Sequence, residues 1–107
     1  MKTVGIIGGL GPETTSKFYL ELISLCQKLN PVQRPPLLIY NVPLTRELEI
    51  DEILNGTCSK ETKNTLIEAA KILEQAGADF IVMPCNSLHV FAKEIQDSIS
   101  IQLLNLI

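Results

Sequence analysis

Thr3-Val4-Gly5-Ile6-Ile7-Gly8-Gly9-Leu10-Gly11-Pro12-Glu13 opens the chain and decides its fold. Thr3 to Ile7 is a continuous apolar run of strand length, the pattern of a strand buried on both faces rather than one. Gly8 to Pro12 then makes a tight loop, and Pro12 suits a first helical turn because its missing N–H would find no intrahelical partner there. Strand, glycine turn and helix in that order form a βα unit.

Working outward, Phe18, Leu22, Leu25 and Leu29 recur at steps of three and four, with Ile23 widening the stripe, which predicts an amphipathic helix from Glu13 to Leu29. Asn30-Pro31 ends it, and after Arg34-Pro35-Pro36 the run Leu37 to Tyr40 reads as a second buried strand bounded by Asn41 and Pro43. A short helix is open to Leu44 to Leu54, Asn55-Gly56 is a turn signal, and Thr57 to Ser59 reads as loop. From Lys60 to Gln75, Leu66, Ala69, Ala70, Ile72 and Leu73 make a helical face that Gly77 closes as a cap. Phe80 to Met83 is a third strand, Ser87 is placed to cap a helix carrying Val90, Phe91 and Ile95, and Ile101 to Ile107 begins a fourth strand. Alternating βα order with apolar strands predicts an α/β fold, a parallel sheet with helices on both faces, and ligands in such sheets sit at the strands' carboxyl ends.

The chain has 107 residues, 46% of them hydrophobic, which matches one globular domain. Its net charge of −3, with both signs interspersed, offers no basic stripe, so a small molecule or a protein is the expected partner, with no nucleic acid. The apolar start is broken by Gly8 and Gly9, too short for a secretory core or a membrane span, so the expected location is cytoplasmic and no membrane is involved. Three widely spaced cysteines do not suggest a disulfide framework and fit a reducing compartment. The apolar close Leu103-Leu104-Asn105-Leu106-Ile107 reads as a strand with nothing after it, as though the chain stops inside a fold.

Two loops fall at the predicted carboxyl edge. Gly9-x-Gly11 with Thr14 in place of a third glycine is a worn dinucleotide fingerprint, and no acidic residue ends the second strand to hold a ribose. The glycines serve a sharp turn equally well, whose exposed amides suit a carboxylate or a phosphate. In Pro84-Cys85-Asn86-Ser87 the thiol stands where a strand gives way to a helix, and unpartnered helical amides favour an anion there, thiolate or ligand carboxylate. A buried cysteine often only packs, but two polar neighbours at a helix start argue for a reactive one. His89, four residues on, makes a thiol–histidine pair geometrically conceivable, whereas Cys-x-x-x-His without further ligands is a poor zinc site; the expected metal is none. Cys26 reads as core or boundary and Cys58 as incidental. Arg46, after the second strand, is either a solvated surface residue or a guanidinium swung over the sheet edge toward a carboxylate.

Gly8-Gly9-Leu10-Gly11-Pro12-Glu13-Thr14-Thr15 together with Gly77 to Met83 leading into Pro84-Cys85-Asn86-Ser87-Leu88-His89 resembles the aspartate/glutamate racemase family, most closely its aspartate racemase branch. Ser87 and Leu88 depart from the usual threonine and small residue, the serine keeping the hydroxyl. The resemblance implies a flavodoxin-like or Rossmann-like half of a two-domain, cofactor-independent racemase, with the active site between halves and one cysteine from each. It implies Cys85 as the catalytic cysteine of the first half, Asn86 and Ser87 as binders of the substrate α-carboxylate, Arg46 as a grip on a substrate carboxylate and Gly11 as part of the pocket floor. The partners it implies are a small acidic amino acid and either a second domain absent from these residues or another copy of the chain. The alternative function is a carboxylate-binding or regulatory domain, a racemase remnant without a complete proton relay.

Overall fold

The structure is a computed structural model that describes residues 1–48, 50 and 60–104. Strand β1 (Val4–Gly8) leads through the glycine loop into helix α1 (Pro12–Leu29), and strand β2 (Leu37–Asn41) follows. Helix α2 (Lys60–Gln75) precedes strand β3 (Phe80–Val82), and a 3-10 helix (Asn86–Phe91) runs into helix α3 (Ala92–Asp97) before strand β4 (Gln102–Leu103). The four strands form one parallel sheet in the order β2-β1-β3-β4. The α/β architecture expected from the βα alternation is therefore present.

The order follows from the chain's crossovers. α1 carries the chain from β1 to a neighbour on one side, and α2 carries it back across β1 to the other side, so the two helices cover opposite faces. Side-chain alternation divides the strands accordingly. Ile7, Ile81 and Met83 join Leu66, Ala69, Ala70 and Leu73 of α2 and Ile95 of α3 in one core. Full burial of one such large aliphatic side chain contributes about 1.5–3 kcal/mol. Ile6 and Val82, also buried, alternate to the α1 face.

α2 forms over the span its periodicity predicts. Gly77 closes it at φ 105, a left-handed conformation open to glycine, with its N–H on the Glu74 carbonyl. α1 differs from expectation. None of its residues is buried; Thr15, Phe18, Leu22, Ile23 and Cys26 are half-buried, while Leu25 and Leu29 are 55% and 79% exposed. The helix is turned slightly from the predicted stripe, so small side chains at 15 and 26 approach the sheet and the two leucines do not.

β4 is shorter than predicted, and residues 105–107 of that expectation lie outside the described ones. Two side chains hold its approach. Glu74 accepts the amides of Ser100 and Ile101 at 2.7 and 3.0 Å, and Gln96 donates to the Ile101 carbonyl at 2.9 Å and accepts the Leu103 amide at 2.8 Å. Among the described residues no helix is long and apolar enough to cross a membrane.

Candidate active site

All four strands point the same way, so the loops after β1, β2 and β3 meet at one edge. β1 pairs with β2 as far as Gly8 with Asn41, but with β3 only as far as Ile6 with Val82. The segment leaving β3 thus turns away while β1 still runs on through Ile7 and Gly8.

The first loop is fixed from within. Thr15 reaches back from α1 so that its Oγ1 accepts the Gly9 amide at 3.0 Å, and the Gly11 carbonyl accepts the amides of Thr14 and Thr15 at 3.1 and 3.2 Å. Gly9 has φ 89, and a Cβ there would run into the Asn41 side-chain amide. Asn41 thus lies directly over the glycine turn. Gly11, the expected piece of pocket floor, is the N-cap residue of α1.

The exits from β2 and β3 share one device. Leu44 donates its amide to the Val42 carbonyl at 2.9 Å, and Cys85 donates its amide to the Met83 carbonyl at 2.8 Å. Each is a three-residue turn with proline at its centre, Pro43 in one and Pro84 in the other, and proline's fixed φ lies close to what such a turn requires. After the first turn, Thr45 caps a helical turn that begins at Arg46, its Oγ1 accepting the Leu48 amide at 3.2 Å. Arg46 is exposed at this edge. β2 and β3 are both neighbours of β1, so their exits stand roughly 10 Å apart.

After the second turn comes Cys85, half-buried against the main core. Its backbone is extended, and it is the N-cap residue of the 3-10 helix that starts at Asn86. This corrects the expectation of one helix capped by Ser87: Ser87 lies inside the 3-10 turn, the cap position belongs to Cys85, whose side chain makes no capping bond, and the α-helical part begins only at Ala92. Cys85 therefore precedes a short, tightly wound turn instead of a long helix with a full dipole. Asn86 and Ser87 are the first two residues of that turn, so their main chain follows the thiol directly.

His89 Nε2 lies 2.8 Å from the Met83 carbonyl oxygen. A carbonyl only accepts, so Nε2 carries the proton and donates it. That nitrogen therefore serves the backbone at the end of β3, a role the Cys85–His89 spacing did not suggest. Cys26 is half-buried at the opposite, amino edge, beside a cavity of about 280 Å³ between the end of α1 and the starts of β1 and β3. That cavity is remote from Cys85. Cys58 lies outside the described residues.

Sequence reasoning missed Asn41, Thr15 and the Met83 carbonyl. Asn41 had a signal: it ends the strand that pairs with β1, opposite Gly8. The other two act through loop geometry that residue types do not disclose.

Sequence and structure comparisons relate the chain that carries this site to known proteins. It is 36% identical to the broad specificity amino-acid racemase RacX of Bacillus subtilis (strain 168) over 112 residues, 97% of this chain and 45% of that protein. An aspartate racemase homologue from Pyrococcus horikoshii OT3 superposes with a TM-score of 0.80 at 31% identity, covering 98% of this chain and 45% of that one. An aspartate racemase from Picrophilus torridus does so with a TM-score of 0.75 at 31% identity, covering 98% and 43%. The chain thus spans less than half the length of these relatives. The family model for Asp/Glu/hydantoin racemases matches residues 7–107, a span that takes in both the glycine turn and the cysteine loop, and the chain belongs to that family.

Proposed function

We propose that this chain supplies one half of a cofactor-independent amino-acid racemase site for aspartate, glutamate or a related acidic amino acid, with Cys85 as one of two acid/base groups. The observation that carries the reading is the position of Cys85, held by a proline turn at the carboxyl edge of the sheet and followed at once by the main chain of a 3-10 turn.

The chemistry explains why such a position is useful. In one direction the Cys85 thiolate removes the α-proton: an S–H bond forms, the Cα–H bond breaks, and the electron pair passes into the α-carboxylate as an ene-diolate. An acid on the opposite face then returns a proton to Cα and inverts it. In the reverse direction Cys85 begins as the thiol and gives its proton. The negative charge that builds on the carboxylate needs donors placed in advance, the role we assign to Asn86 and Ser87. Arg46 grips a substrate carboxylate, and the turn around Gly11 forms the floor. The second acid/base comes from a counterpart half, of the kind a longer relative has room for, or from a second copy of the chain.

The test is α-proton exchange of amino acids in heavy water followed by NMR, with wild type and Cys85→Ala. One relative's name speaks of broad specificity and others of aspartate, so aspartate, glutamate and alanine are all offered. Cys85-dependent exchange of the acidic pair is expected. Tight binding of aspartate by a folded protein that exchanges no proton would support the carboxylate-binding reading instead.

A further inference from the structure

We propose that His89 is a positioning residue for Cys85: its Nε2–H bond to the Met83 carbonyl closes the 83–89 segment into a ring that fixes where the thiol is presented. The functional part of this inference rests on the racemase reading above; the structural part does not.

The Met83 carbonyl is well suited as an anchor. Met83 is fully buried at the end of β3, one residue beyond the last strand residue, Val82. Its carbonyl accepts twice, from the Cys85 amide at 2.8 Å and from His89 Nε2 at 2.8 Å, which uses both lone pairs of one oxygen. Pro84 fixes the backbone between the first two of these residues. At the far end of the ring, Phe91 and Ile95 are buried in the core, so the 3-10 turn bearing His89 is held as well. Cys85, Asn86 and Ser87 all lie between the two anchors, so the bond constrains the thiol and its neighbours as a unit.

A histidine near a cysteine more commonly suggests direct proton exchange with it. Here the protonated ring nitrogen is committed to a backbone oxygen, and the gain is geometric. Proton transfer from carbon is sensitive to placement, and a shift of about 1 Å can cost as much as about 100-fold in rate.

Two readouts on wild type, His89→Leu and His89→Gln test the proposal. The first is hydrogen exchange at the Cys85 amide, with the Ile6 and Ile7 amides as reference for global opening. His89→Leu is expected to speed exchange at Cys85 about 5-fold, the equivalent of one net hydrogen bond of about 1 kcal/mol, and to leave the reference amides unchanged. His89→Gln, whose side-chain amide also donates, is expected to restore the wild-type rate. The second is α-proton exchange of aspartate, where His89→Leu lowers kcat about 10-fold or more with KM unchanged and His89→Gln recovers it.

An unchanged Cys85 amide in His89→Leu would overturn the ring. A faster amide with unaltered kcat in an active protein would overturn the positioning role. Wild type that exchanges no substrate proton would overturn the racemase reading, while the amide comparison would still decide the ring.

Discussion

Replacing Gly9 by alanine separates two requirements that the glycine turn satisfies together. Gly9 has φ 89, and a Cβ there meets the Asn41 amide, with the Val42 amide nitrogen at 3.2 Å. Gly77 supplies the reference: its φ is 105, and nothing lies within 4 Å of where its Cβ would stand. Gly77→Ala therefore reads backbone strain alone, about 1–2 kcal/mol for a non-glycine residue forced into left-handed space. Gly9→Ala adds crowding against a neighbour, typically about 1–3 kcal/mol more, for a total of about 2–5 kcal/mol. Asn41→Ala removes the nearest obstacle but leaves φ untouched, so the double variant should regain about 0.5–3 kcal/mol of coupling. Urea unfolding monitored by circular dichroism gives these differences from midpoints at constant slope. A Gly9→Ala variant no less stable than Gly77→Ala, with no coupling to Asn41→Ala, would refute the close approach of Asn41 to the turn.

Other expectations follow from burial and bonding. Leu66→Ala should cost about 2–5 kcal/mol, because Leu66 is fully enclosed beneath α2, whereas Leu29→Ala should stay within about 0.5 kcal/mol; thermal unfolding ranks the two. Glu74→Ala leaves the Ser100 and Ile101 amides without their acceptor, and a loss of about 1–3 kcal/mol with faster hydrogen exchange at Ile101 is expected, less in Glu74→Gln, which retains an acceptor oxygen. Leu20, Leu25 and Leu29 are 62%, 55% and 79% exposed on one helix. Sedimentation velocity should show self-association that Leu25→Ser with Leu29→Ser weakens, and a monomer at high concentration would contradict this.

Much of the fold was legible because it rests on burial. In α2 the positions Leu66, Ala69, Ala70 and Leu73 are all buried, and periodicity reports burial directly. β1, β2 and β3 were readable as apolar runs between glycine and proline signals, but β2, expected to be a buried strand, has only half-buried and exposed residues, Ile39 among the exposed. α1 misled in detail because its stripe was assumed to face the sheet squarely. Half of that stripe faces outward, and which half depends on helix rotation, a property of packing rather than of sequence. The helix after Cys85 was mistyped for a related reason: over six residues a 3-10 turn and an α-turn place side chains too similarly for spacing to separate them.

The site was legible as residues more than as geometry. The positions of Cys85 and the glycine turn at one edge followed from the parallel direction of the strands alone. His89 was visible four residues from Cys85, but its partner is the backbone carbonyl of Met83, and a backbone acceptor leaves no mark in a sequence. Asn41 was legible only as a strand boundary; its place over Gly9 comes from parallel register.

The role of Cys85 is tested most directly by offering each enantiomer of aspartate separately in heavy water and following deuterium entry at Cα together with the chirality of the product. Because one thiol serves one face of the substrate, one enantiomer should exchange faster than its mirror image, and Cys85→Ala should abolish that exchange. Equal exchange of both enantiomers that survives in Cys85→Ala would contradict a proton-transfer role for this thiol.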